Sequence, residues 1–181
     1  MKVFVTSNQQ FGRTGAIKAY KRSFEDVSEM NDHLIKQWNS VVKDGDAVFV
    51  LGNLMWDPET GEEIIKALNG DILVIDGEWD RATEDIVKIK KDSSLAEAKI
   101  RYISDGLKVM PNRKAVLSYW PLKDWPGKKN KSYTSFIGHP NPKYKTDHKE
   151  SVINVTCDRW DYKPIEINHL TELFNDPDLK K

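Results

Sequence analysis

The sequence predicts an α/β protein built on parallel βαβ units. Three observations carry this expectation. Short continuous apolar runs, such as Ala47–Leu51, read as strands buried on both faces. Segments with helical periodicity alternate with those runs. The last third changes to several short strand-like stretches.

The elements follow in order. Residues 2–6 form a β-rich run at the very start. Residues 26–42 follow a helical period, with Val27, Met30, Leu34, Trp38 and Val41 on one stripe. Asp26, with Glu29 three residues later, has the spacing of a capping box. Ala47–Leu51 is the second strand. Residues 62–68 read as a helix, with Asn69-Gly70 as its stop signal. Residues 72–75 are another buried strand, and residues 82–103 carry helix formers with weaker periodicity. Ala115–Ser118, Thr134–Ile137, residues 152–155 and residues 164–167 read as four later strands. Residues 170–174 form a short terminal helix that Pro177 ends. No repeat or low-complexity linker divides the chain, so residues 1–181 read as one domain.

Composition narrows the functional classes. The 28 Lys+Arg cancel the 28 Asp+Glu among 181 residues, so no global field points to nucleic acid or membrane. The single cysteine, Cys157, excludes an internal disulfide framework and a Cys-rich zinc site, and is read as a mark of a reducing cytosol. No apolar run approaches the ~18 residues of a membrane span. The start lacks the basic and apolar regions of an export signal. The expectation is a soluble, cytoplasmic protein.

Ligands of open α/β sheets gather at the C-terminal ends of the strands. Here those ends read Ser7-Asn8-Gln9-Gln10, Gly52-Asn53 and Gly77-Glu78-Trp79-Asp80. Later loops read Ser118-Tyr119-Trp120-Pro121 and Gly138-His139-Pro140-Asn141. In this order, and with flanks such as Phe11-Gly12, Trp38-Asn39 and Leu68-Asn69-Gly70, they resemble the calcineurin-like metallophosphoesterases, most closely the small bacterial and phage type. The corresponding family loops read Asp-x-His, Gly-Asp, Gly-Asn-His-Asp, Ser-His-Tyr-Pro and Gly-His-x-His. The resemblance runs over nearly the whole chain. It implies a sandwich of two mixed β-sheets flanked by helices and, in the family, a site holding two divalent metals such as Mn, Fe or Zn.

The departures from the family pattern are equally informative. At the positions that the resemblance assigns to metal ligands stand Asn8, Gln10, Asn53, Glu78, Tyr119 and Asn141, and only His139 keeps the family residue. Trp79 replaces the histidine that assists catalysis. Two dications ~4 Å apart repel by roughly 17 kcal/mol even at an effective dielectric of ~20. A bridging carboxylate offsets that repulsion, whereas Asn8 and Asn53 keep its shape without its charge. Trp79 offers a donor N–H and no ligand atom. No cofactor is therefore expected, and no catalytic residue is assigned. His139, Asp80 and Glu78 are the weak candidates for a mononuclear metal site, with Asp80 alternatively a loop-holding residue. His33, His148 and His169 read as ordinary surface histidines.

Charge is unevenly distributed. Between residues 113 and 149 nine Lys+Arg face two acids, and aromatic residues interleave them. Lys128, Lys129 and Lys131 follow Pro126-Gly127 in what reads as a mobile loop. Lys143, Lys145 and Lys149 form a second loop of the same kind. Together they form a candidate anion-binding rim. Residues 54–85 carry ten acids, and with Trp56 form an alternative protein-docking face. Three readings stand: a pseudoenzyme acting as a binding or scaffold protein for a protein partner; a non-hydrolysing binder of a phosphorylated ligand, nucleotide or nucleic acid, with Trp79 or Tyr119 stacking on a base; and a residual phosphoesterase with a non-standard site around His139.

Overall fold

The computed structural model describes residues 1–80, 99–103 and 106–170. Nine strands and three α-helices are defined among them. They run β1 (Val3–Thr6), α1 (Thr14–Ala19), α2 (Val27–Val41), β2 (Ala47–Leu51), α3 (Pro58–Ala67), β3 (Asp71–Ile75), β4 (Ile100–Ile103), β5 (Leu107–Met110), β6 (Ala115–Ser118), β7 (Thr134–Ile137), β8 (Val152–Asn154) and β9 (Ile165–Glu166). The strands form two mixed sheets, ordered β4-β3-β2-β1-β9 and β5-β6-β7-β8. β1 to β4 are mutually parallel with β9 antiparallel at the edge; β6, β7 and β8 are parallel with β5 antiparallel. This is a two-sheet α/β architecture with helices flanking the first sheet.

Side-chain alternation builds two cores, because successive strand residues face opposite sides. On one face of the first sheet, Phe4, Val48, Val50, Ile72 and Val74 pack against Met30, Leu34 and Trp38 of α2 and Ile64 and Ile65 of α3. On the other face, Val3, Val5, Phe49, Leu51 and Ile75 meet Ala115, Leu117, Phe136 and Ile153 of the second sheet. The predicted stripe of α2 is therefore the buried one. Its cap is also as expected at one end: Asp26 Oδ1 accepts from Glu29 N at 2.8 Å. The Glu29 carboxylate reaches past the cap to accept from Glu25 N.

Several boundaries differ from the sequence reading. α3 starts at Pro58 rather than residue 62, because Asp57 caps it and proline suits the first turn. The helical reading of residues 82–103 falls partly on 81–98, outside the described residues; its end is strand β4, paired in parallel with β3. Ile100, Tyr102 and Ile103 are strand-favouring residue types. Neither α1 nor β5 was signalled, since a six-residue helix is too short to show a period and β5 is a half-exposed edge. The last strand shrinks to Ile165–Glu166. The proposed terminal helix lies, beyond residue 170, outside the described residues. Among the described residues no helix is long and apolar enough to cross a membrane.

The two sheets come into close contact at Gly138, which follows β7. Its N–H donates to Ser118 O, its carbonyl accepts from Ser7 Oγ, and a methyl group there would overlap the carbonyl oxygen of Leu51 at the end of β2. Gly138→Ala must push the sheets apart. It is expected to cost at least about 2 kcal/mol, read as a lowered urea midpoint with an unchanged slope.

Candidate functional site

The loops after β1 and β2 continue the parallel pairing of their strands. Asn8 N donates to Gly52 O, Gln10 N to Asn53 O and Phe11 N to Leu54 O, at 2.9–3.0 Å. To do so the chain turns through the left-handed region at Asn8, Gln10, Gly52 and Asn53. Asparagine and glycine tolerate that backbone best, which is one physical reason for their presence here. The loop after β3 is clamped to the same place by Asp80. Its buried carboxylate accepts from Asn53 N (2.8 Å), Leu54 N (3.0 Å) and Gly77 N (2.8 Å). Burial pushes its carboxyl above the usual range, partly countered by those three N–H groups. Asp80 is thus a loop-holding residue, as one of its two readings had it.

The residues that these loops bring together form a network of neutral side chains. Asn8 Oδ1 accepts from Gln10 Nε2 (2.7 Å) and from Asn53 Nδ2 (3.4 Å). Asn53 Nδ2 also reaches Tyr119 OH (3.1 Å), and Asn53 Oδ1 accepts from Trp79 N (3.1 Å). Gln10 Nε2 donates to Tyr20 OH as well (2.8 Å), and Gln10 Oε1 accepts from Arg13. Tyr119 OH lies 3.4 Å from Glu78 Oε2, and burial raises its phenol well above the ordinary value.

Beneath this network sits a residue that the sequence did not flag. The Arg22 side chain is fully buried. It donates to both carboxylate oxygens of Asp158 (2.7 and 3.1 Å), to Gln9 O (2.8 Å) and to Asn8 O (2.7 Å). Burial penalises its charge, yet Cys157 and Asp158 beside it hold its pKa above the ordinary arginine value. Asp158 in turn accepts from Asn8 Nδ2 at 3.1 Å. Arg22, Asp158 and Tyr20 carry no spacing signal that sequence reasoning could use.

Two of the candidates fall outside the network. Asn141 is exposed and its Oδ1 accepts from Lys143 N, so it caps a turn. His139 is half-buried, and its Nδ1 accepts from Asn141 N at 3.1 Å. Its ring packs against Tyr119, Trp120 and Tyr144 at 4.6–5.1 Å between centroids. His139, Asp80 and Glu78 do not converge: among the described residues no three His, Cys, Asp or Glu side chains form a group able to hold a metal ion. His33, expected on a solvated face, instead packs between the Phe24 and Tyr162 rings. His148 and His169 are exposed.

The rim is aromatic. Trp56 and Trp79, each 43% exposed, lie 5.6 Å apart, and Trp120 is 51% exposed. Arg13 stacks over Trp56 at 4.4 Å and lies 5.7 Å from Trp79. A cleft of about 500 Å³ opens beside the network between Tyr20, Lys21, His139, Pro140, Asp158 and Arg159. The lysine loop is turned on itself, with Lys131 N donating to Lys128 O and Ser132 N to Gly127 O. Lys128 lies over Trp125, which is buried, and faces Glu150 at 4.0 Å. Lys129, Lys131 and Lys145 are exposed, and Lys143 lies over Tyr144.

Fold and site together define a two-sheet α/β protein whose strand-end loops close over a neutral, hydrogen-bonded floor. No family model matches the chain. It is 30% identical over 183 residues to the uncharacterized protein MJ1445 of Methanocaldococcus jannaschii, across 96% of this chain and 91% of that one, and it belongs to the same family. Among solved structures it is similar to a protein of unknown function, AQ665 from Aquifex aeolicus. That match has a TM-score of 0.71 and 18% identity, and covers 95% of this chain and 98% of that one, so it bears on the fold alone.

Two outcomes follow from this geometry. Arg22→Met removes the Arg22 donor from Gln9 O and leaves Asn8 O with only the weak Cys157 thiol, at about 1–3 kcal/mol for an unsatisfied carbonyl, which urea unfolding will register. His139 should titrate below its ordinary 6.5, because burial of the ring disfavours its charge; Glu78 opposes the shift and Lys143 reinforces it. Between the folded midpoint and 6.5 the unfolded chain holds the extra proton, so this residue's contribution to stability rises with pH in that window and is lost on acidification through it. An NMR titration of the ring checks the midpoint.

Proposed function

We propose that this chain is a catalytically degenerate relative of the calcineurin-like metallophosphoesterases that acts in the cytoplasm as a binding protein and not as a hydrolase. The observation that carries the reading is the amide network at the strand ends. Where the resemblance calls for anionic and imidazole ligands, Asn8, Gln10, Asn53 and Tyr119 are bonded to one another. Asn8 Oδ1 already accepts two N–H groups, and Asn53 Oδ1 accepts the Trp79 N–H. Neutral oxygens committed in this way are poor ligands for two dications, whose mutual repulsion needs carboxylates to offset it. These residues do not fit a binuclear centre.

Residual hydrolysis at His139 finds little support in the same geometry. Both Asp80 oxygens are filled by backbone N–H groups, and His139 Nδ1 is occupied by Asn141 N. The second reading, a non-hydrolysing binder of a phosphorylated ligand, nucleotide or nucleic acid, is favoured over a protein scaffold by the rim. Exposed Trp79 offers a stacking face beside Arg13, and exposed Trp120 offers a second one against His139.

The test is metal content of the purified protein, together with turnover of a generic phosphodiester in added Mn²⁺. The expected result is no stoichiometric metal and no turnover. Two tightly bound metals with turnover abolished by His139→Ala would overturn the reading.

A further inference from the structure

The sequence placed the anion-binding role on Lys128, Lys129, Lys131, Lys143 and Lys145. The geometry points to a different residue: Arg13, braced on Trp56 and Trp79, is the anion receptor of the site, and its ligand is a phosphate ester carrying a planar base. This rests on the binding-protein reading above and names the ligand class that the same site takes.

Arg13 differs from the other cations near the site in how it is held. Its guanidinium lies over the Trp56 ring and beside Trp79, and one nitrogen donates to Gln10 Oε1. A guanidinium carries five N–H donors. Among the described residues no other side-chain bond engages them, and no carboxylate pairs with the charge. Lys128, by contrast, is engaged by Trp125, Glu150 and Lys123 O. Arg22 is spent on Asp158 and two backbone carbonyls. A half-buried cation without a counter-charge is unfavourable unless a ligand supplies one. Stacking on Trp56 and the bond to Gln10 fix the plane of the guanidinium, so its remaining donors are presented with little loss of freedom on binding.

The floor beside Arg13 suits an anion for a second reason. Asn8, Gln10, Asn53 and Tyr119 carry no charge themselves, and Asp80 nearby is enclosed by backbone N–H groups. The two carboxylates at the margins are engaged, Asp158 by Arg22 and Asn8 Nδ2, and Glu78 by Tyr119 OH at 3.4 Å. Trp79 then gives the ligand its second feature. Its backbone is fixed by Asn53 Oδ1, while its ring is 43% exposed and leans on Trp56. An exposed indole held in place next to an oriented guanidinium matches a phosphate next to a flat base.

Calorimetric titration of the intact protein with inorganic phosphate, adenosine, adenosine 5′-monophosphate and a short single-stranded oligonucleotide tests this. The nucleotide should bind at least about tenfold more tightly than phosphate alone, the increment expected of one stacked base. Arg13→Gln should weaken nucleotide and phosphate alike by about tenfold or more, with Arg13→Lys intermediate because it keeps the charge and loses the fork. Trp79→Ala should weaken the nucleotide and leave phosphate unchanged. Tighter binding of the oligonucleotide than of the mononucleotide, lost in Arg13→Gln, supports the inference with a strand as the source of the phosphate; equal binding supports it with a free nucleotide. Thermal melts establish that each variant is folded.

Full affinity in Arg13→Gln would overturn the inference. So would loss of binding in a Lys128→Ala, Lys129→Ala, Lys131→Ala triple variant but not in Arg13→Gln, or no binding of any phosphate compound at millimolar concentration. None of these results touches metal content or turnover, on which the binding-protein reading separately stands.

Discussion

One buried guanidinium sets the shape of the site. Arg22 sends donors to both oxygens of Asp158 and to the carbonyls of Asn8 and Gln9, so it joins the loop after β1 to the turn after β8. Burying a charge is costly, and is tolerated where every face finds a partner. The cost also enforces position. Asn8 cannot leave its left-handed conformation without stripping Arg22 of an acceptor. Because Asn8 N donates to Gly52 O and Asn8 Oδ1 accepts from Asn53 Nδ2, that position passes to the loop after β2. Asp80 passes it on to the loop after β3. Three strand ends are thereby fixed from beneath.

Above that anchor the chemistry is neutral. An amide is both donor and acceptor, so Asn8, Gln10 and Asn53 satisfy one another in a way that a set of carboxylates would not. Carboxylates this close would repel unless a cation lay between them. Under the proposed function the amides take over the shape of a metal site without its charge, and the positive charge moves outward to Arg13 on its tryptophan pair. On that reading the surface presents a cation and flat aromatic faces over an amide floor, and holds an anionic ligand rather than attacking it.

The sequence made some of this legible, and the limits have physical causes. The strand runs Ala47–Leu51, Ala115–Ser118 and Thr134–Ile137 match to the residue. The first is an unbroken apolar run, as a strand buried on both faces needs, and the others are short runs rich in apolar and β-favouring types. The α2 stripe matches because one helix face meets the sheet. Asn8, Gln10, Asn53 and Tyr119 are marked by the resemblance of their loops to a family's motifs, and in the structure their side chains form one hydrogen-bonded chain. Asn141 is marked by the same logic and does not join them: its side-chain Oδ1 accepts from Lys143 N in a local turn, and local hydrogen bonds compete well in an exposed loop. Of the short edge elements, α1 and β5 left no signal and β4 was read as helix.

By itself, then, the sequence determined the alternation of strands and helices, the buried faces and the loops that gather at the strand ends. Each of these follows from periodicities of two and 3.6 residues that act over one element. Only the tertiary structure decided which polar atoms meet. Arg22 and Asp158 are 136 positions apart, and Asn53 and Tyr119 are 66. No local pattern encodes such pairings, because they arise when two sheets pack and leave buried donors and acceptors that must find each other. The same packing left Arg13 on Trp56 and Trp79 without a carboxylate partner among the described residues, which composition alone could not distinguish from any other surface arginine.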